Sequence, residues 1–232
     1  MSEKKEQKYF NFPIVLLEGF LDDSNKCLTN IVHYALYAKT LDYDFGNEEK
    51  RMASAEKYFN NRFKTTSKIH AYENGESIYD SIPYKVPKVG LSISVMADYL
   101  KNEKTEFQKV CLLGYLGIRS ILQNKAYCKI TNKYWLSRMD GKNKAVENLS
   151  ELSESIQKYA NEYQTKKIKS ELRDNWFLAT YSRYTRGFYV SFNLELDELV
   201  YQAEKRRKST KEKQAKLAEK IALEKALSRL NE

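Results

Sequence analysis

The chain has 232 residues, 42% of them hydrophobic, enough to fill a core and too many for a wholly disordered chain. Only 8 glycines and 3 prolines stand against 18 tyrosines and 31% charged residues, a balance that favours long helices over turn-rich β architecture. The net charge of +9 is unevenly placed: residues 1–102 hold 14 basic and 14 acidic side chains, residues 103–200 hold 16 and 12, and residues 201–232 hold 10 and 5.

A neutral first part joined to a basic second part reads as a scaffold or partner-binding region attached to a polyanion-binding region. Cys27, Cys111 and Cys128 form no close pair of the kind that holds zinc or works as a redox centre, and read as reduced core thiols. The first eight residues carry basic side chains, but the apolar patch that follows, Phe12 to Leu17, is short, interrupted by Pro13 and closed by Glu18. No signal peptide is expected, and no apolar run approaches the roughly 20 residues a membrane helix needs. The cytoplasm is the expected compartment.

Along the chain, the apolar segment 10–20 leads to Asp22, Asp23 and Ser24, caps for an amphipathic helix through Cys27, Leu28, Ile31, Val32, Ala35, Leu36 and Ala38. A second helix is predicted over 48–63. Residues 64–88 lose periodicity and contain Asn74-Gly75, Pro83 and Pro87, so a loop region with short strands, and an internal boundary, is expected there. A short helix follows over 92–100. Thr105 then caps a longer one carrying Phe107, Val110, Cys111, Tyr115, Ile118, Ile121 and Leu122.

Residues 126–130 have strand composition, Thr131-Asn132 precede a helix over 133–138, and Met139-Asp140-Gly141 reads as a tight turn. Helix is predicted again over 145–163, with Val146, Leu149, Leu152, Ile156, Tyr159 and Ala160 as its apolar stripe, and over the basic stretch 164–173. Residues 176–182 and 188–192 are rich in aromatic and β-branched residues and predict a β-hairpin with Arg183-Tyr184-Thr185-Arg186-Gly187 at its tip. From Asp197 onward a helix is expected, heavily charged from Lys205. The predicted fold is mainly α with a small β component: a helical N-terminal region (1–102), a C-terminal region (103–200) built around the hairpin, and a basic C-terminal helix or tail (201–232).

Helix, short strand, helix, Gly-containing turn, helix and hairpin is an order of elements that resembles the winged helix-turn-helix, over about residues 105–194. Residues 131–141 look like the first helix and turn of that unit, and 181–188 like its wing. The whole is similar to replication initiators and regulators of plasmids and phages. The resemblance implies a helix in the major groove and a basic hairpin tip along the phosphates. The sequence departs from the pattern in placing two helical segments, 145–163 and 164–173, where one helix usually stands. The second is the preferred groove-entering element, because Lys166, Lys167, Lys169 and Arg173 crowd it.

The expected nucleic-acid contacts are therefore those four residues, Lys133 and Arg138 on the first helix, Lys142 and Lys144 beyond the turn, Arg183, Tyr184 and Arg186 at the hairpin tip, and Lys205, Arg206, Arg207 and Lys208 in the tail. Tyr184 is placed to stack on a sugar or base. The bland reading of each cation is a solvated surface. For the tail, whose basic run is followed by Leu217, Ile221, Leu223, Leu227 and Leu230 without a sustained heptad, it is a flexible solvated segment, with dimerisation as a further reading.

Catalytic material is poor. His33 and His70 are the only histidines and share no metal-ligand spacing; residues 42–48 lack the oxygen ligand and glycine placement of a calcium loop; no phosphate-binding glycine motif occurs. No enzyme activity, metal or cofactor is expected. The expected function is nucleic-acid binding, DNA before RNA, in replication or transcription control of a mobile element or phage, with the N-terminal region free to engage a protein and a homodimer within reach. The alternative from another class is a protein-binding inhibitor or adaptor that occupies the nucleic-acid channel of a nuclease or ribonucleoprotein.

Overall fold

The computed structural model describes residues 8–61, 63, 67–83, 85–182 and 187–230, with side chains of the last helix described as far as Ile221. The chain is mainly helical with two small sheets. It opens with strand β1 (Tyr9–Pro13) and a 3-10 turn (Ile14–Leu17). Helix α1 (Ser24–Thr40) starts where Asp23 Oδ1 accepts the Lys26 backbone N–H, and buries Cys27, Leu28, Ile31, Val32, Ala35 and Leu36 at spacings of three and four. Helix α2 (Glu48–Tyr58), capped by Asn47, is shorter than expected: Asn60 and Asn61 take positive φ and end it before Phe63.

The loop expected over 64–88 is corrected by α3 (Lys68–Ser81), which packs along α1. Ser67 Oγ accepts the His70 N–H to start it. The Asn74-Gly75 pair, a turn signal in isolation, is here a helix crossing: a Cβ on Gly75 would lie 2.5 Å from the His33 carbonyl oxygen of α1. Asn74 Nδ2 meets His33 Nδ1 at 2.8 Å, and Tyr34 stacks on Tyr79 with centroids 5.6 Å apart. Tertiary packing thus overrides a local preference.

After Pro87, strand β2 (Lys88–Ser92) pairs antiparallel with β1, Tyr9 opposite Ser92 and Pro13 opposite Lys88. Phe10 and Phe12 point inward, Tyr9 and Asn11 outward. Ser92 caps α4 (Ile93–Lys101), and Thr105 with Gln108 closes a reciprocal capping box on α5 (Glu106–Leu122). β2 packs against α5, so the apolar core runs without a break from Phe10 to Val190 across the divide near residue 102.

Strand β3 (Cys128–Ile130) leads into α6 (Asn132–Met139), capped by Thr131. The helix expected over 145–163 is corrected: only a 3-10 turn (Leu149–Glu151) and a single turn, α7 (Glu154–Gln157), occupy it. Polar contacts hold the rest as a loop. The buried Asp140 carboxyl accepts both the N–H and the hydroxyl of Ser153, and the Val146 N–H donates to Ser137 Oγ at 3.1 Å. Val146, Leu152 and Ile156 are buried as expected, reached by an irregular path rather than along a helical stripe.

Helix α8 (Glu162–Trp176) follows, then β4 (Ala179–Tyr181) and β5 (Phe188–Ser191), paired antiparallel with Tyr181 opposite Tyr189. Trp176 closes the helix instead of opening the strand, and Phe177 turns the chain in a left-handed conformation with φ 56°. β3 joins the other side of β5, Cys128 opposite Val190, to give the order β3-β5-β4. Helix α9 (Leu196–Leu230) buries Leu199 and Ala203 and packs on β4 and β5. Among the described residues no helix is long and apolar enough to cross a membrane.

Gly75→Ala tests the α1–α3 crossing. Alanine is the better helix former by about 1 kcal/mol, but its methyl would strike the backbone carbonyl of His33, and overpacking of this kind costs about 1–3 kcal/mol. A lowered urea midpoint with an unchanged slope is the expected result, measured by equilibrium unfolding.

Candidate nucleic-acid interface

Helix α8 begins at Asn161, whose Oδ1 accepts the Gln164 N–H at 2.9 Å. It turns Thr165, Ile168 and Leu172 into the core. Residues 162, 166, 169 and 173, spaced four, three and four apart, then fall on one flank. Three of these are the cations Lys166, Lys169 and Arg173. Lys166 and Arg173 are exposed, with Lys166 Nζ 2.7 Å from Glu162 Oε1, a contact that holds the Glu162 carboxyl below its usual range. Arg173 donates only a 3.4 Å bond to Ser170 Oγ.

Lys169 is different in kind. Its ammonium donates to Asn132 Oδ1 at 2.7 Å, at the start of α6, and sits 3.7 Å from the Phe188 ring centroid and 5.5 Å from that of Trp135. Burial pushes its pKa down to about 8, with the charges of Arg173 and Lys166 adding to the shift. Lys167 lies off this row, over the Phe107 ring at 4.5 Å. The flank therefore combines α8 with the N-terminus of α6 and the first residue of β5.

Beside it, Lys129 projects from β3 between the inward-facing Cys128 and Ile130. Its partner across the sheet is Tyr189, and just before β5 stands Gly187, φ +98°, where a Cβ would lie 2.5 Å from the Ile130 carbonyl oxygen. Only glycine lets the hairpin return this close to β3. Neither Lys129 nor Asn132 belongs to the sites read from sequence. Lys129 was legible from strand alternation opposite the hairpin; the reach of Lys169 to Asn132 depends on the distance between two helices and has no local signal.

The remaining expected contacts divide by placement. Arg138 is a correction: only 4% exposed, it donates from Nη2 to Tyr134 Oη at 2.7 Å and from Nη1 to the Lys142 carbonyl at 3.4 Å, so its charge serves the interior. The last turn of α6 carries it inward together with Ser137, Met139 and Asp140. Lys142 is half-buried beside Asp140 at 3.4 Å, and Lys133 donates to the Glu147 carbonyl at 2.6 Å, tying the loop to α6. Lys144 is exposed. Arg183, Tyr184 and Arg186 lie outside the described residues. In α9, Lys205, Arg206 and Lys208 are exposed and Arg207 contacts Glu204 at 3.3 Å; this run begins just past Ala203, where the helix leaves the sheet.

The three cysteines are buried, and burial raises the thiols of Cys27 to about 11 and Cys111 to about 12. His33 and His70 meet edge-on with centroids 6.3 Å apart between α1 and α3. Among the described residues no group of three His, Cys, Asp or Glu side chains is placed to hold a metal ion. No family model matches the chain, and no curated protein or solved structure matches it either.

Arg138 and the α8 row are expected to respond oppositely to truncation. Arg138→Ala removes buried packing and the Tyr134 contact and should cost about 1–3 kcal/mol of stability. Lys166→Ala with Arg173→Ala, both at exposed positions, should change stability by no more than about 0.5 kcal/mol each. Thermal denaturation of the two variants side by side checks the contrast.

Proposed function

We propose that the chain is a DNA-binding protein of winged helix-turn-helix type, acting in replication or transcription control of a mobile element or phage. In this reading α5, β3, α6, α8, β4 and β5 form the binding unit and α8 is the helix presented to the major groove. The observation that carries it is the row Lys166, Lys169 and Arg173 on one outward flank of α8, beside a sheet of order β3-β5-β4. Cations at this spacing meet successive phosphates or a groove edge, and β5 is held against β3 by strand pairing and by the close approach of Gly187 to Ile130.

The polar connection pinned by Asp140 and Ser153 is longer than the turn such units usually have. It keeps α6 and α8 in register through hydrogen bonds in place of a short loop. Exposed Tyr163, 72% accessible on the outer face of α8, adds a ring able to pack on a sugar or base. The basic run of α9 would add affinity without selectivity, since lysines on a solvated helix meet phosphates as point charges.

Duplex DNA titrated by fluorescence anisotropy at several salt concentrations tests the reading. Affinity should fall steeply with salt, and the double variant Lys166→Ala, Arg173→Ala should flatten the slope by about one unit per lost contact. Binding to a nuclease or ribonucleoprotein with none to duplex DNA would instead return the chain to the inhibitor class.

Lys169 gives the reading a pH signature. Phosphate contact favours the charged ammonium, so binding takes up a proton wherever the free protein has lost it, above a pKa of about 8. Affinity should therefore weaken between about pH 7 and 9, and Lys169→Arg, charged throughout that range, should abolish the dependence. An equal pH dependence in the variant would remove Lys169 from the interface.

A further inference from the structure

A cleft lies between the β1–β2 ribbon and the C-terminal end of α5, with a volume of about 600 Å3. That is within the roughly 300–1,000 Å3 of small-molecule sites. Strand alternation supplies one wall: with Phe10 and Phe12 committed to the core, Tyr9 and Asn11 face outward, and Lys88 joins them from β2. Arg119, Gln123 and Asn124 supply the other.

The chemistry of this lining is selective. It holds two cations, three carboxamides and a phenol, and no carboxylate. Arg119 is half-buried, with its guanidinium carbon 5.8 Å from the Phe192 ring centroid, and among the described residues no carboxylate pairs with it. An arginine set near an aromatic ring and unpaired with an acid keeps its fork of donors for an external anion. The C-terminal carbonyls of α5 oppose a negative ligand, and the two cations offset that end of the helix dipole.

Backbone geometry adds an independent sign. Gln123 has φ 48° and ψ −118°, outside the regions an L-residue favours, and is held there by its N–H donating to the Arg119 carbonyl at 2.9 Å. Strain of this kind costs about 1–3 kcal/mol and concentrates at functional sites. Its effect is to stop α5 and turn Gln123 and Asn124 along the cleft. Carboxamides carry paired donors and acceptors that match base edges. Tyr9, 41% exposed, offers a ring face on which a base can stack.

We propose that this cleft binds a nucleotide unit, with its phosphate on Arg119 and Lys88 and its base against Tyr9 within reach of the carboxamides. The unit is either a free nucleotide or one nucleotide of a strand. The site stands whether or not α8 binds duplex DNA.

Calorimetric titration of the full chain with AMP, GMP, CMP and UMP, with inorganic phosphate, and with a short oligothymidylate tests it. Saturable binding of a mononucleotide identifies a free-nucleotide site; binding of the oligonucleotide alone identifies a strand site. Either supports the proposal if Arg119→Gln and, separately, Lys88→Gln weaken it about tenfold or more and Tyr9→Ala weakens it several-fold; mononucleotide binding should also be unchanged in Lys166→Ala with Arg173→Ala. Lys88 lies exposed at a strand end, so its variant keeps the test valid if Arg119→Gln fails to fold. The proposal is overturned if neither probe binds, if phosphate binds as tightly as every nucleotide, or if binding survives both cation variants. Loss of duplex binding in the α8 variant with nucleotide binding intact separates this site from the α8 reading.

Discussion

Trp135 is the side chain on which the second half of the molecule converges. Fully buried on α6, it donates its indole N–H to the Gly114 carbonyl of α5 at 2.9 Å, meets Phe188 of β5 edge-on at a centroid distance of 6.0 Å, and lies beneath the Lys169 ammonium of α8. A buried indole needs a partner for its N–H, and a helix carbonyl at a close crossing is one of few available. Four elements are thereby fixed relative to one another by a single ring. The outward flank of α8 inherits its position from that ring, because Lys169 takes its place from the aromatic surfaces beneath it.

The same arrangement explains why the flank is electrostatically costly. Lys169 lies between two neighbouring cations and against apolar rings, and among the described residues Asn132 and the ring faces oppose the loss of water. The buried Arg138 is the opposite case, a cation whose surroundings, the Tyr134 hydroxyl and ring and the Lys142 carbonyl, are internal. Two basic residues on adjacent helices thus carry different work, and the difference lies in which way each helix turns its flank.

Sequence reasoning succeeded where the determinant is local. Asp23, one of three candidate caps at 22–24, starts α1, Thr105 and Thr131 cap the helices they precede, and the aromatic run before and after residues 183–187 pairs as a hairpin. It failed where the determinant is distant. The Asn74-Gly75 pair means turn until α1 is known to lie against it, and 145–163 has a helical stripe until Asp140 captures Ser153. The cations of α8 were legible as a cluster on one short helix, though Lys167 turns away from the others toward Phe107; the inward turn of Arg138 was not legible, because burial of the last turn of α6 is set by tertiary packing. The cleft beside Arg119 went unread for a related reason, since it joins residues far apart in the chain, whereas the outward position of Lys129 follows from strand alternation alone.

Helix α9 poses a question of nucleation. Its first turns are seeded on the sheet by Leu199 and Ala203, while every side chain from Lys208 to Ile221 is exposed. Starting a helix is the unfavourable step, and each later residue then adds a bond at little net cost. Docking supplies the start, so the solvated part needs only to propagate. The solvated turns of such a helix can open residue by residue without disturbing the core that seeds it. Its length at any moment is a local equilibrium set by temperature and by the ions around its charged surface, independent of the cooperative unfolding of the rest.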